Sequence, residues 1–306
     1  MKIDRTTSMR DAFFGVVYDR AKEDDRVVVV SADMGAPSLD RFRKDFPNRF
    51  FNVGIAEHNM IAIASGLASE GKKVYTYAIA PFITSRCYEF TKLNAGLMKF
   101  PIKLVGVGAG FSYDDSGPTH HTTEDISIMR AIPHLEIYSP SDSISAVKIA
   151  EMMDDSSNPS YARLDRKILP LIHEEDETFE KGFSELNHGK DIAILTTGNM
   201  VHTALEVSNR LGRENVGVIE LYKIKPINPA VKDTLTQYKQ IVSLEEHLLD
   251  GGLGSIVSEM ITDNNLPVKL KRIGLKDFIY AYGGRENIQK ICGIDAESVI
   301  AEIKKL

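Results

Sequence analysis

The chain has 306 residues, which is too long for one ordinary hydrophobic core and long enough for two domains. It is 43% hydrophobic and 26% charged, as expected of a soluble globular protein, and its net charge of −6 forms no block of like charge, which argues against a nucleic-acid partner. Only two cysteines occur, Cys87 and Cys292, without metal-site or disulfide-framework spacing; with no signal-peptide core in "MKIDRTTSMRDAFF" and no apolar run near the roughly 18 residues of a membrane span, the expected place is a reducing cytoplasm.

Along the chain, β-rich runs alternate with helical patterns. "MRDAFFGVVYDRAKED" (9–24) carries apolar residues at helical spacing. "RVVVVSAD" (26–33) is a continuous β-branched run, expected of a strand buried on both faces. "RFFNVG", "KVYTYAIA", "PIKLVGVGAG", "LEIYSPS" and "SYARL" read as further strands, with helices between most of them. The pattern predicts an α/β fold: a doubly wound parallel sheet over about 1–170. Polar residues dominate 171–190, which reads as a linker. A second, smaller α/β domain is expected over 191–306. Its strands are "DIAILTTG", "NVGVIEL", "KQIVSLEEH" and "VKLKRIGL", and helices begin near Met200, near Asn228 and after "GGLGS".

Ligands of such sheets bind beyond the carboxyl ends of the strands. Five candidate ends follow apolar strands with polar, Gly or aromatic residues: "SADMGAPS" (31–38), "VGIAEHN" (53–59), "AIAPF" (78–82), "GAGFSYDDSGPTHH" (108–121) and "ARLDRK" (162–167). Glu57 falls at the start of an apolar helix. Position alone leaves two readings open: a carboxylate complementing the helix dipole, or a buried acid that holds or shares a proton with a ligand.

Two longer stretches narrow the choice. "VGIAEHNMIAIASGLASEGKKVYTYAIAPFITSRCYE", followed by "GPTHHTTEDISIMRAIP", resembles the transketolase family and its relatives. The resemblance runs through a pyrimidine-binding domain and a C-terminal domain, and it implies thiamine diphosphate as cofactor. It implies that Glu57 hydrogen-bonds a ring nitrogen of the aminopyrimidine, favouring the tautomer whose exocyclic nitrogen can act as base. It further implies that Phe82 stacks on that ring, that Met34 lies under the bent cofactor, and that Asp33 lines the channel. His120 of "GPTHH" would face the reacting carbons, with His121 beside it as a second candidate. Arg166, with Arg163 as a close second, would clamp a substrate phosphate, and Ser38 is similar to another phosphate contact, though one residue out of register.

The sequence also departs from the family. Ile79 and Ser85 stand where relatives often carry aromatics, and Ser116 stands four residues before His120, where transketolases carry an Asp that reads a donor hydroxyl. The Gly-Asp-Gly segment that holds Mg²⁺ is missing, and "LDGGLGS" (249–255) matches the C-terminal domain instead. No metal ligand is therefore assigned to this chain. The resemblance implies the C-terminal, beta-type subunit of a two-subunit transketolase. A separate N-terminal-half subunit would supply the diphosphate and Mg²⁺ site in an α2β2-type assembly, and sugar phosphates would be the substrates. Two rivals stand beside it: a subunit similar to deoxyxylulose-phosphate synthase or to 2-oxo acid dehydrogenase beta chains, and a non-catalytic partner that kept the fold.

Overall fold

The computed structural model describes residues 3–306. Among these residues twelve strands form two sheets: β1 (Val27–Ser31), β2 (Phe50–Asn52), β3 (Lys73–Ile79), β4 (Lys103–Val107), β5 (Glu136–Tyr138), β6 (Ser160–Leu164), β7 (Phe183–Asn187), β8 (Ile192–Thr196), β9 (Val216–Leu221), β10 (Lys223–Lys225), β11 (Gln240–Leu248) and β12 (Lys269–Leu275). The first sheet has the order β10-β5-β6-β4-β3-β1-β2 and the second β12-β11-β8-β9-β7. All pairings are parallel except β10 with β5 and β7 with β9. The fold is thus the expected α/β class, with helices on both faces of the first sheet.

The β-branched run explains why. Side chains alternate across a strand, so Val27 and Val29 enter one core and Val28 and Val30 the other. The first core is closed by helices Met9–Glu23 and Ser143–Asp155, through Phe13, Phe14 and Ile149. The second is closed by helices Glu57–Ser69 and Asp125–Arg130, through Met60, Ile61 and Ile126. Burying each such aliphatic side chain contributes about 1.5–3 kcal/mol.

The order places β1 between β2 and β3, so the chain reverses its direction of travel across the sheet at β1. A crevice opens at such a switch point, beyond the carboxyl ends of the strands. Ser31, Asn52 and Ile79 end the three strands there.

Two features correct the expected domain plan. Residues 171–190 are not all linker, because Phe183–Asn187 form β7, the antiparallel edge of the second sheet. An edge strand faces water on one side, so "FSELN" lacks the apolar run that marks an inner strand. The second correction is β10, which follows β9 directly yet pairs with β5 of the first sheet. The C-terminal half therefore lends an edge strand to the N-terminal half. Among the described residues no helix is long and apolar enough to cross a membrane.

Candidate active site

The end of β1 is a tight loop. Ser31 Oγ donates to Met34 O at 2.8 Å and accepts from Met34 N at 3.2 Å. Met34 is half-buried and packs on the first core. Asp33 adopts a left-handed conformation, φ 54°, and its side chain is exposed. It is held by reciprocal bonds: Asp33 N donates to Asn52 Oδ1 and Asn52 Nδ2 donates to Asp33 Oδ1, both at 3.1 Å. Asn52 Oδ1 also accepts from Gly54 N at 3.0 Å, so one amide ties the ends of β1 and β2 together. Ser38, early in helix Pro37–Asp45, donates to Asp11 Oδ1 at 3.2 Å.

Glu57 is the first residue of helix Glu57–Ser69 and is only 2% exposed. Its Oε2 accepts from Arg86 Nη1 at 2.7 Å. The same guanidinium lies over the Phe82 ring, 4.0 Å from its centroid. Phe82 sits in the short helix Ala80–Ile83 that follows β3. Glu57 and Phe82 therefore converge on one planar, cationic, hydrogen-donating group. Arg86 was not among the residues expected from sequence, and nothing in "TSRCYE" marks it, because its carboxylate partner lies 29 residues away.

The loop after β4 closes on itself, with Gly110 and Thr122 exchanging backbone bonds at 3.0 and 2.9 Å. Inside it, His120 lies edge-on to Phe82 with centroids 5.2 Å apart, and 5.9 Å from the Tyr113 ring. Thr119 Oγ1 and His120 Nδ1 share a hydrogen bond of 3.0 Å. The close packing of Tyr113 requires Gly108, where φ is 108° and a Cβ would meet the Tyr113 ring at 2.4 Å. His121 turns away: it is buried edge-on to Phe111 at 4.9 Å, its Nε2 has no partner, and burial lowers its pKa.

Arg166 lies over Tyr113, 4.6 Å from the ring centroid, and donates to Asp115 Oδ1 at 3.1 Å. Its backbone N–H donates to Ser112 Oγ at 2.9 Å, which fixes the turn after β6. Ser116 is exposed and donates to Asp115 Oδ1 at 3.1 Å. Arg86, Phe82, His120, Tyr113 and Arg166 thus form one continuous strip along the carboxyl edge, three rings flanked by two guanidiniums.

Arg163 does not belong to that strip, and its expected role as a phosphate contact is corrected. It is 4% exposed and forks onto Asp125, with Nε to Oδ2 at 2.8 Å and Nη2 to Oδ1 at 3.1 Å. Tyr161 donates to the same carboxylate at 2.8 Å. Two residues apart on a strand, Tyr161 and Arg163 share one face, and helix Asp125–Arg130 covers it. Sequence reading also missed Arg285, whose Nη1 donates to Asp165 Oδ2 at 2.6 Å and whose Nε donates to Glu246 Oε1 at 3.0 Å. No group of three or more His, Cys, Asp or Glu side chains that could hold a metal ion occurs among the described residues.

Residues 5–171 match the family model "Transketolase, pyrimidine binding domain", and residues 183–299 match "Transketolase, C-terminal domain".

The chain belongs to the transketolase family. A putative transketolase C-terminal section from Methanocaldococcus jannaschii is 34% identical over 96% of this chain and 95% of its own length. One of the subunits of apulose-4-phosphate transketolase from Actinobacillus succinogenes is 35% identical over 90% of both chains. A split-gene transketolase solved as an inactive beta4 tetramer superposes with a TM-score of 0.86 at 29% identity, covering 97% of each chain. Each of these three is matched over 90% or more of its own length. Transketolase-family domains are associated with thiamine diphosphate. The residues present fit the pyrimidine half of that cofactor: a buried carboxylate and an aromatic face address one planar group, here the Arg86 guanidinium, from two sides.

Proposed function

We propose that this chain is the C-terminal, beta-type subunit of a two-subunit transketolase, dependent on thiamine diphosphate, that moves a two-carbon ketol unit between sugar phosphates. The observation that carries the proposal is the convergence of Glu57 and Phe82 on one planar group, with His120 beside them at the switch point of the sheet. When bound, the cofactor supplies the thiazolium carbon that takes up and releases the two-carbon unit. Glu57 holds a proton at the aminopyrimidine ring nitrogen. Phe82 would stack on that ring, Met34 would help to hold the cofactor, and Asp33 would line the way in.

His120 binds a substrate hydroxyl and moves protons at the reacting carbons. Arg166 forks onto the substrate phosphate, a task its planar guanidinium suits and which its exposed Asp115 partner can release. Ser38 is a second phosphate contact and Ser116 a donor-hydroxyl contact. Mg²⁺ and the diphosphate are held by a separate subunit, and the two kinds of chain assemble as α2β2. The split-gene relative seen as an inactive beta4 tetramer supports a requirement for that partner.

Calorimetry and turnover assays test this reading. The full chain alone should bind thiamine diphosphate weakly, even with Mg²⁺, and transfer no ketol group. Adding the diphosphate-binding subunit should restore both. Submicromolar binding and turnover by the lone chain would refute the split assembly.

A further inference from the structure

Arg86 takes up both contacts that the proposed reading gives to the aminopyrimidine. Its Nη1 is 2.7 Å from Glu57 Oε2, and its guanidinium carbon lies 4.0 Å from the centroid of Phe82. A guanidinium and a protonated aminopyrimidine have the same recognition chemistry: both are flat, cationic, and able to donate from one edge while stacking through a face. The two cannot occupy this slot together.

The two partners differ in their freedom to leave. The Glu57 side chain is 3% exposed and that of Arg86 is 37% exposed. Glu57 is fixed at the start of its helix, beside the buried Cys87, whose thiol is pushed up to about 12 by burial and by the Glu57 charge. Arg86 follows the short helix that carries Phe82, on a long side chain with one face towards water. A buried carboxylate left without a partner is strongly destabilising. Arg86 can therefore depart only as another cationic donor arrives.

We propose that Arg86 is a positioning residue that stands in for the aminopyrimidine in the cofactor-free chain, keeping the Glu57 carboxylate paired and the Phe82 face covered until the cofactor displaces it. This rests on the thiamine diphosphate reading of the same site. Arg86 thereby sets a threshold for occupancy: a ligand must both stack on Phe82 and donate to Glu57 to replace it. A flat apolar ring, which satisfies only Phe82, would leave Glu57 unpaired and be rejected.

The test uses the full chain and a probe that needs no diphosphate site, 4-amino-5-hydroxymethyl-2-methylpyrimidine, with affinity measured by calorimetry. Removing the competing ion pair and cation–π contact should tighten binding to Arg86→Ala by about tenfold over wild type. Arg86→Lys keeps a charge for Glu57 but lays no planar cation on the ring, so it folds with Glu57 paired and binds the probe with an intermediate gain. The gain should vanish in the double variant Arg86→Ala/Glu57→Gln. Equal affinity in wild type, Arg86→Ala and Arg86→Lys, including no detectable binding to any of them, overturns the proposal, as does weaker binding to Arg86→Ala. If thiamine diphosphate-dependent turnover is nevertheless seen with the partner chain, the functional reading stands and only the role of Arg86 falls.

Discussion

Arg285 Nη1 donates to Asp165 Oδ2 at 2.6 Å, and this contact joins the C-terminal half of the chain to the strand end that carries Arg166. The same guanidinium serves Glu246, and both carboxylate side chains are 2% exposed. Two acids this deeply buried are tolerated only while the cation between them is present. Arg285→Ala should destabilise the chain by about 3–5 kcal/mol, the cost of breaking a buried pair by removing one partner. Urea unfolding followed by circular dichroism measures it. A change below about 1 kcal/mol would mean that water reaches Asp165 and Glu246 once the arginine is gone.

Glu57→Gln keeps the shape of the side chain but removes the carboxylate. With the diphosphate-binding chain present, the loss of turnover should be on the order of 10²–10⁴-fold, the range typical of acid–base groups. The far-ultraviolet spectrum should be unchanged. Turnover within a few-fold of wild type would return Glu57 to the role of a charge at a helix N-terminus.

Arg166→Ala separates phosphate recognition from structure. Losing a charge-assisted hydrogen bond costs roughly 1.5–3 kcal/mol, or about ten- to a hundred-fold in kcat/KM. That loss should appear with phosphorylated donors and shrink with unphosphorylated ones. An equal loss with both would leave only the contacts with Tyr113 and Asp115 that the structure shows.

His173 gives the chain a pH dependence of stability. Its ring is enclosed in the segment joining the two halves, with Nε2 2.8 Å from Glu220 Oε2 and Nδ1 2.7 Å from Glu177 Oε2. Burial opposes its charge, but the bonds to Glu220 and Glu177 outweigh it and raise the pKa from 6.5 to about 9. The native state therefore holds this proton more tightly than the unfolded chain. The extra stability is fully present below pH 6.5 and is lost as pH rises through about 9. It amounts to about 3 kcal/mol at most. Denaturant midpoints between pH 6 and pH 10 should show this decline in wild type and a flatter line in His173→Gln. Parallel lines would mean that His173 is neutral in the native protein.

Ser116 lies in the loop that carries His120, at the position where the family resemblance implies an acid. Its hydroxyl carries no charge, reaches less far than a carboxylate, and is engaged with Asp115. A site discriminates strongly between hydroxyl configurations only when a hydrogen-bonding partner is placed for them. Wild type should therefore be lax towards donors epimeric at the hydroxyl next to the carbonyl. Ser116→Asp should favour ordinary ketose phosphates such as xylulose 5-phosphate. The ratio of kcat/KM for two such donors measures it. Strong discrimination by wild type, unchanged in the variant, would move the task to Asp114 or Asp115.

Much of the architecture is legible along the chain because it is set by local periodicity. The run Val27–Val30 is apolar and β-branched at every position, as expected of a strand covered on both faces, and the structure divides it between two cores. The strand ends that hold Asp33, Glu57, Phe82, His120 and Arg166 announce themselves by the change from apolar to Gly and polar residues. The edges β2 and β12 keep enough apolar character to be legible, whereas β7 ("FSELN") and β10 ("KIK") are short and mostly polar, so no apolar run marks them.

Which charged residues meet is a different matter. "ARLDR" offers two arginines three positions apart, and composition treats them alike. The phase of β6 decides between them: Arg163 faces inward to an Asp125 that lies 38 residues earlier, while Arg166 falls beyond the strand, at the open edge. Arg86 likewise acquires meaning only from Glu57, and Arg285 from an Asp165 that lies 120 residues before it. A charge is identified by its partner once water is excluded, and partners separated by tens of residues are brought together only by the packing of the sheets. The sequence by itself determined the fold class and the strand ends from which Glu57 is a candidate; the tertiary structure decided which cations are committed to the scaffold and which stand at the open edge.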